Sequence, residues 1–351
     1  MQLRELISRL PSFASDYIYS KEVTTQTSTL VSYCYDLITF FEFLCEQNPA
    51  LRGKKTNTVT LSDLGRLTPE DIIEFQRYLE LNVSEKGKYH ENNKKSIARK
   101  MAPLRGLFLY HYQRKNIPDN PMVLVPLPKV KKDKNIIRMN NYEVQSILHA
   151  IENGDPQMSK RQRLACERTK KRDLAILTLM LGTGIRVSEC NGLDLIDIDL
   201  IVNTLTIVRK GGGQDVLYFD ENIHDVLSDY IDTERASITP REGHESALFF
   251  SSQGKRMSVD AIENLVKKYA RMVVPNKKIT PHKLRSTYGT ALYRATGDIR
   301  LVADVLGHEN INTTINYYAA IEDEHKRRAV GAVDFTKKDP TDPTQTDDAL
   351  S

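Results

Sequence analysis

The stretch NIPDNPMVLVPLPKVKKDKN, residues 116–135, constrains the fold more than any other part of the chain. Its four prolines (Pro118, Pro121, Pro126 and Pro128) fix φ and remove backbone donors, so neither a helix interior nor a central strand can run through it. The lysines that follow keep it solvated, and the composition is that of an extended, semi-rigid linker. A chain of 351 residues is thereby cut into two parts, each long enough to bury its own core. The expected organisation is a first domain over 1–120, a linker over 121–135, a second domain over 136–335 and a tail over 336–351. That tail ends DPTDPTQTDDALS, with four Asp, no base and no apolar period, and is expected to be disordered.

The first part has helical periodicity. In TTQTSTLVSYCYDLITFFEFLCE, Leu30, Tyr33, Leu37, Phe40, Phe41 and Leu44 recur at three- and four-residue steps and make one apolar face. LTPEDIIEFQRYLEL opens a helix with Thr68 as N-cap, Pro69 in the first turn and Glu70 and Asp71 at its positive end. In NNKKSIARKMAPLRGLFLYHYQRK, Ile97, Met101, Leu104 and Phe108 share one side, while Lys94, Lys95, Arg99 and Arg105 fall mostly elsewhere. Pro103 interrupts the hydrogen-bond ladder of that helix. The second part is mixed: NNYEVQSILHAIE, RDLAILTLMLGTG and SVDAIENLVKKYA read as helices, and TLTIVRK-GGGQ-DVLYF as two strands around a glycine-rich turn. The whole is a helical domain followed by a mainly α, mixed α/β domain with a small antiparallel sheet.

A net charge of +4 decides little, but its distribution is informative. Residues 94–115 hold seven Lys or Arg and no acid; residues 129–138 hold five against one Asp; residues 160–172 hold seven against one Glu. Such runs suit a polyanion, with Lys94, Lys95, Arg99 and Arg105 on the basic helix and Lys131 and Lys132 in the linker as expected backbone contacts. Solvated helix faces would give the same composition. Cys34, Cys45, Cys166 and Cys190 lie far apart without a CxxC, which predicts buried reduced thiols rather than a disulfide framework or zinc site. The sequence shows neither a signal-peptide apolar region nor a membrane-length apolar run, so a cytoplasmic, nucleoid-associated location without membrane contact is expected.

Chemistry concentrates in a few places. Arg186 follows a Gly-Thr-Gly turn; Lys210 enters the turn of RKGGGQD; His282 and Arg285 form an HxxR pair one helical turn apart behind Pro281. His308 lies in LGHEN, and Tyr317 stands nine residues later, ahead of Tyr318. Singly, each has an ordinary explanation: a surface arginine, a turn lysine, a capping histidine, a core tyrosine. The glycine-rich turn lacks the GxxxxGK[ST] spacing of a nucleotide cradle. Together, two guanidiniums, a lysine, two imidazoles and a phenol are a kit for phosphoryl transfer without metal or cofactor. The arginines could clamp the non-bridging oxygens of a phosphodiester, the phenol attack phosphorus, and the lysine protonate the leaving alkoxide.

The segments GTGIRVSECNGL, HKLRSTYGTAL and VLGHENINTTINYY, with the hairpin lysine between the first two, resemble the tyrosine recombinases of the phage integrase family. The N-terminal helix patterns are similar to that family's core-binding domain, so the resemblance runs from about residue 5 to 330. It implies that Arg186, Lys210, His282, Arg285, His308 and the nucleophile Tyr317 are the six active positions, with Glu189 as a buttress. It further implies a SAM-like domain and a catalytic domain closing as a C-shaped clamp on duplex DNA, a 3′-phosphotyrosine intermediate, and no need for ATP or metal. Implied partners are paired recombination sites, a homo-tetramer on DNA that exchanges residues 319–333, and accessory proteins. The core-binding pattern starts near the N-terminus, so a simple Xer-like or Cre-like recombinase without an arm-binding domain is expected. A phage or transposon integrase, a type IB topoisomerase-like enzyme and an idle DNA-binding protein are the alternatives. Two departures stand out: GGGQD has no second basic residue after Lys210, and NGDPQMSKRQRLACERTKK has the character of an insertion.

Overall fold

The computed structural model describes residues 2–80, 94–128, 138–154, 159–209, 211–308, 311, 314 and 315. The chain divides into two compact units, Met1–Lys132 and Asp133–Ser351.

All regular structure described in the first unit is helical: α1 (Gln2–Ser8), α2 (Ser12–Lys21), α3 (Thr27–Gln47), α4 (Leu61–Leu64), α5 (Pro69–Glu80) and α6 (Lys94–Gln113). The apolar stripe of α3 buries Leu30, Leu37, Phe40, Phe41 and Leu44, and meets Ile97, Met101, Leu104 and Phe108 of α6 in one core. Aromatic edges interlock there, with the Phe40 and Phe75 rings 5.0 Å apart at 70°. Helix α5 starts where its cap dictates. The Asp71 backbone N–H donates to Thr68 Oγ1 (3.3 Å), and the Thr68 backbone N–H donates to Asp71 Oδ2 (2.8 Å). Helix α6 continues through Pro103, whose ring is buried. The periodicity did not reveal α1 and α2, because each is short; both pack on the core through residues such as Leu6, Phe13 and Tyr17.

The second unit is built around one helix. It contains α7 (Asn141–Asn153), α8 (Lys160–Glu167), α9 (Lys170–Thr183), α10 (Val187–Gly192), strands β1 (Ile198–Asp199), β2 (Thr204–Val208) and β3 (Gln214–Tyr218), then α11 (Glu221–Asp229), α12 (Val259–Val273), α13 (Pro281–Thr296) and α14 (Ile299–Val305). Helix α9 buries Ala175, Ile176, Leu177, Leu179 and Met180, too many faces for an amphipathic surface helix, and packs against α7, α11, α12 and α13. The expected hairpin is present, with Leu205 paired to Leu217 and Ile207 to Asp215. The very short β1 adds a third antiparallel strand that sequence reading did not anticipate. Leu205, Ile207 and Leu217 face the core, while Val208, Val216 and Tyr218 face outward. Part of the suspected insertion forms α8.

The cysteine expectation needs one correction: Cys34, Cys45 and Cys190 are buried, but Cys166, on the strongly polar α8, is only half-buried. The four thiols are free. Among the described residues no helix is long and apolar enough to cross a membrane. The expected tail and most of the basic half of the linker lie outside the described residues.

Candidate active site

Four helix ends and one strand end converge in the second unit. The central helix α9 stops at Gly184, which caps it in the left-handed conformation (φ +66°). Only glycine fits there, since a Cβ would lie 2.4 Å from Tyr288 Cδ1 and 3.0 Å from Leu306 Cδ2. This sharp stop delivers Arg186 to the start of α10. Its backbone N–H donates to Glu189 Oε2 (2.7 Å) and its Nη1 to Glu189 Oε1 (2.6 Å). Pro281 opens α13 and sets Arg285 in the second turn, almost fully buried. Strand β2 ends at Val208, and Arg209 follows it directly.

All three guanidiniums meet the C-terminal end of α14. Arg209 Nη2 donates to Val305 O (2.9 Å), Arg285 Nη2 donates to Leu306 O, and Arg186 Nη2 donates to Gly307 O (2.9 Å). Arg285 Nη1 also donates to Gly184 O (2.7 Å), so the caps of α9 and α14 are joined through one side chain. The last carbonyls of a helix lack intrahelical partners and carry the negative end of its dipole, which suits cations. Glu189, 3% exposed, sits among the three, at 2.6 Å from Arg186, 3.4 Å from Arg209 and 4.0 Å from Arg285. Asp215 takes a second ion pair from Arg209 (2.7 Å). Among the described residues, three guanidiniums against two carboxylates leave the cluster net positive.

The imidazoles are held neutral. The His308 pKa is lowered to about 4, first by burial and then by Arg285, Arg186, His282 and Arg209. His308 Nδ1 is 2.7 Å from the hydroxyl of Thr314, a fully buried residue. The His282 pKa is also lowered, by partial burial and then by Lys283, Arg285 and Arg186. A neutral imidazole in a cationic surround can accept a proton, or donate a hydrogen bond to an anion, without adding charge.

Of the residues singled out from the sequence, the structure therefore gathers Arg186, Glu189, Arg285 and His308, with His282 close enough to share their field. Lys210, Tyr317, Lys131 and Lys132 lie outside the described residues. In the first unit, Lys94, Lys95 and Arg105 are exposed on α6. Lys94 and Arg105, eleven residues apart, fall within about 20° of each other around the helix axis. Arg99 is exposed too, but it also carries an ion pair that the sequence did not reveal. Its fork is bidentate on buried Asp36 (Nη1–Oδ2 2.9 Å, Nη2–Oδ1 3.1 Å), because that carboxylate inside the helical core needs a partner.

Sequence reading missed Arg209. A signal was present: period-2 alternation puts residue 209 on the same inward face as Leu205 and Ile207, where an arginine demands an acid.

Known proteins share the sequence pattern and fold of this chain. Residues 138–325, more than half of the chain, match the phage integrase family. The chain is 32% identical over 315 residues to "Tyrosine recombinase XerC" of Caldanaerobacter subterraneus subsp. tengcongensis, covering 86% of this chain and 80% of that protein. It is 29% identical over 337 residues to "Tyrosine recombinase XerS" of Lactococcus lactis subsp. lactis, covering 90% and 94%. Solved structures share the fold: XerH recombinase in a post-cleavage complex with its difH substrate (TM-score 0.61, 16% identity, 94% of this chain and 97% of that one). So does the Tn1549 transposon integrase on transposon right-end DNA (TM-score 0.62, 20% identity, 94% and 100%). The chain belongs to the phage integrase family.

Proposed function

We propose that this chain is a Xer-like site-specific tyrosine recombinase that cuts and rejoins duplex DNA through a 3′-phosphotyrosine ester. The observation that supports it most is the trio of guanidiniums gathered at the end of α14 around Glu189, a net positive site with neutral imidazoles beside it. Arg186 and Arg285 hold the non-bridging oxygens of the scissile phosphate and stabilise the charge that grows on them in the transition state.

Tyr317 Oη attacks phosphorus; the O–P bond forms as the P–O5′ bond breaks. The phenol proton passes to a neutral imidazole, and Lys210 donates a proton to O5′. The free 5′-hydroxyl of a partner duplex then attacks the ester and reverses the sequence, so the bond energy stays in the protein–DNA link. His308 hydrogen-bonds a non-bridging oxygen.

The first unit, a SAM-like core-binding domain, and the second close as a C-shaped clamp on DNA. Lys94, Lys95 and Arg105, with Lys131 and Lys132, contact phosphates and set register rather than sequence. Four copies assemble on two paired sites in the cytoplasm, exchanging residues 319–333 between neighbours, and accessory proteins choose the moment. The 32% and 29% identity to the XerC and XerS relatives supports this reading.

The test is a nicked suicide substrate, which loses its 5′-hydroxyl fragment after cleavage and traps the ester. Wild type and Tyr318→Phe form the adduct, and Tyr317→Phe binds DNA without forming it. Adduct in Tyr317→Phe and none in Tyr318→Phe would show the nucleophile to be the second tyrosine. On plasmids, recombination that requires paired sites separates a recombinase from a topoisomerase-like enzyme, which relaxes without them.

A further inference from the structure

Arg209 is placed where one side chain can fasten four pieces of the site. Its Nε and Nη2 both reach Asp215 Oδ2 (2.9 and 2.7 Å), which ties the end of β2 to the returning strand β3. Its Nη2 also donates to Val305 O (2.9 Å), and its Nη1 is 3.4 Å from both Glu189 oxygens. Its plane lies against Gly307, where a Cβ would fall 2.7 Å from Nε and 2.8 Å from Cζ. Gly307, at φ +55°, is the residue just before His308. The side chain is only 12% exposed.

The ladder and core hold the strands of the hairpin that Arg209 anchors, but among the described residues its turn has little else to hold it. Gly211 and Gly212 adopt positive φ, and a Cβ on Gly211, Gly212 or Gly213 would meet nothing within 4 Å. Within the described turn, the backbone bonds run to Arg209 itself: its N–H donates to Gly213 O (2.7 Å), and Gly212 N–H donates to its carbonyl (3.0 Å). The charge of Arg209 is also accounted for differently from its neighbours. All three arginines share Glu189 and each meets a backbone carbonyl, and Arg209 in addition pairs with Asp215. An arginine so neutralised contributes little to holding a phosphate, but a great deal to fixing a strand end.

Resting on the reading of Lys210 as proton donor, we infer that Arg209 is a positioning residue for DNA cleavage: the Asp215–Arg209–Val305 tether fixes the strand end to which Lys210 is joined by one peptide bond. Loosening it should misplace the donor relative to the 5′ oxygen while leaving the arginine clamp on the phosphate able to work. A displacement of about 1 Å in such a group costs on the order of 10²-fold in rate.

The experiment compares two nicked substrates of one sequence, with oxygen or sulfur at the 5′-bridging position, in single-turnover cleavage by the full chain. Sulfur leaves as a thiolate and needs no proton, so a defect in the donor disappears on it. Arg209→Ala is expected to cleave the oxygen substrate on the order of 10²-fold more slowly than wild type, and to recover on sulfur as Lys210→Ala does. Asp215→Asn, at a 40% exposed side chain, is expected to show a smaller loss with the same recovery. Arg209→Ala remaining as slow on sulfur as on oxygen, while Lys210→Ala recovers, overturns the inference and places Arg209 with the phosphate clamp. If Arg209→Ala does not fold, Asp215→Asn decides: no loss on oxygen, or a loss that sulfur does not relieve, overturns it. If Lys210→Ala itself fails to recover, the reading of Lys210 falls and this inference falls with it.

Discussion

Replacing Glu189 by Gln keeps the shape of the side chain and removes the charge that three guanidiniums share. In the wild type its carboxylate is 3% exposed, 2.6 Å from Arg186, 3.4 Å from Arg209 and 4.0 Å from Arg285. Removing one partner from a buried ion pair costs about 3–5 kcal/mol, because the remaining charges stay desolvated and uncompensated. Two features place this case at the lower end. Each arginine keeps a backbone carbonyl, and the amide oxygen of Gln can still accept the Arg186 N–H. A loss of about 3 kcal/mol in a unit of this size lowers Tm by about 6–12 °C. The chain has no tryptophan, so the melt is followed by far-ultraviolet circular dichroism or calorimetry. An anion that binds the uncovered arginines stabilises the folded form by mass action, so sulfate should raise the Tm of the variant more than that of wild type. A variant that melts within about 1 °C of wild type, or that sulfate stabilises no more than wild type, would refute the role given to Glu189.

The remaining expectations concern the DNA surface, the absence of a metal and pH. Changing Lys94, Lys95 and Arg105 together to Ala should flatten the slope of log affinity against log salt by up to about 2.7, at about 0.9 per phosphate contact; an unchanged slope would remove α6 from the DNA interface. Arg99→Ala should instead lower the melting temperature of the first unit by leaving buried Asp36 with Lys100 alone at 3.5 Å, and a variant as stable as wild type would contradict that. Covalent adduct should form in excess EDTA; activity lost there and restored by magnesium would contradict the mechanism. His308 has a folded pKa of about 4 against 6.5 unfolded, so its stabilising contribution is complete above pH 6.5 and is lost as pH falls toward 4. Half-exposure reduces that contribution to about 1–2 kcal/mol, and His308→Asn should flatten the Tm–pH curve in this window.

The sequence made some levels of this molecule legible and hid others for physical reasons. Helices α3, α5 and α6 were readable because one apolar stripe or one cap sets each of them, and the hairpin because alternation and glycines set it. Helices α1 and α2 were not, since seven and ten residues give too few turns for a period to show. Arg186, Arg285 and His308 stood out as a conjunction of residue types, and Glu189 through the family resemblance. What spacing cannot carry is who answers a charge: Asp215 for Arg209, Asp36 for Arg99, and the carbonyls of residues 305–307 for the whole cluster. Backbone acceptors have no residue type, so no sequence pattern marks them. The ion pair of Arg99 was hidden in the same way, because a basic run on a helix looks alike whether its forks meet solvent alone or also a carboxylate on a neighbouring helix.

That choice of acceptor bears on what the site can do. If each guanidinium had a carboxylate of its own, the cluster would be as well ordered but neutral, and a phosphodiester would gain nothing by entering. Carbonyl oxygens orient the forks through hydrogen bonds while leaving most of the charge in place. The end of α14 supplies three in succession, from Val305, Leu306 and Gly307, and Gly184 supplies a fourth. Gly307 also has no Cβ to hold Arg209 away, so the cluster closes up against the backbone. The two carboxylates present are divided unequally. Glu189 lies among all three arginines and lowers their mutual repulsion, and Asp215 serves Arg209 alone. Among the described residues the cluster keeps a surplus of positive charge, beside two imidazoles that stay uncharged at neutral pH, and an anion is drawn to it.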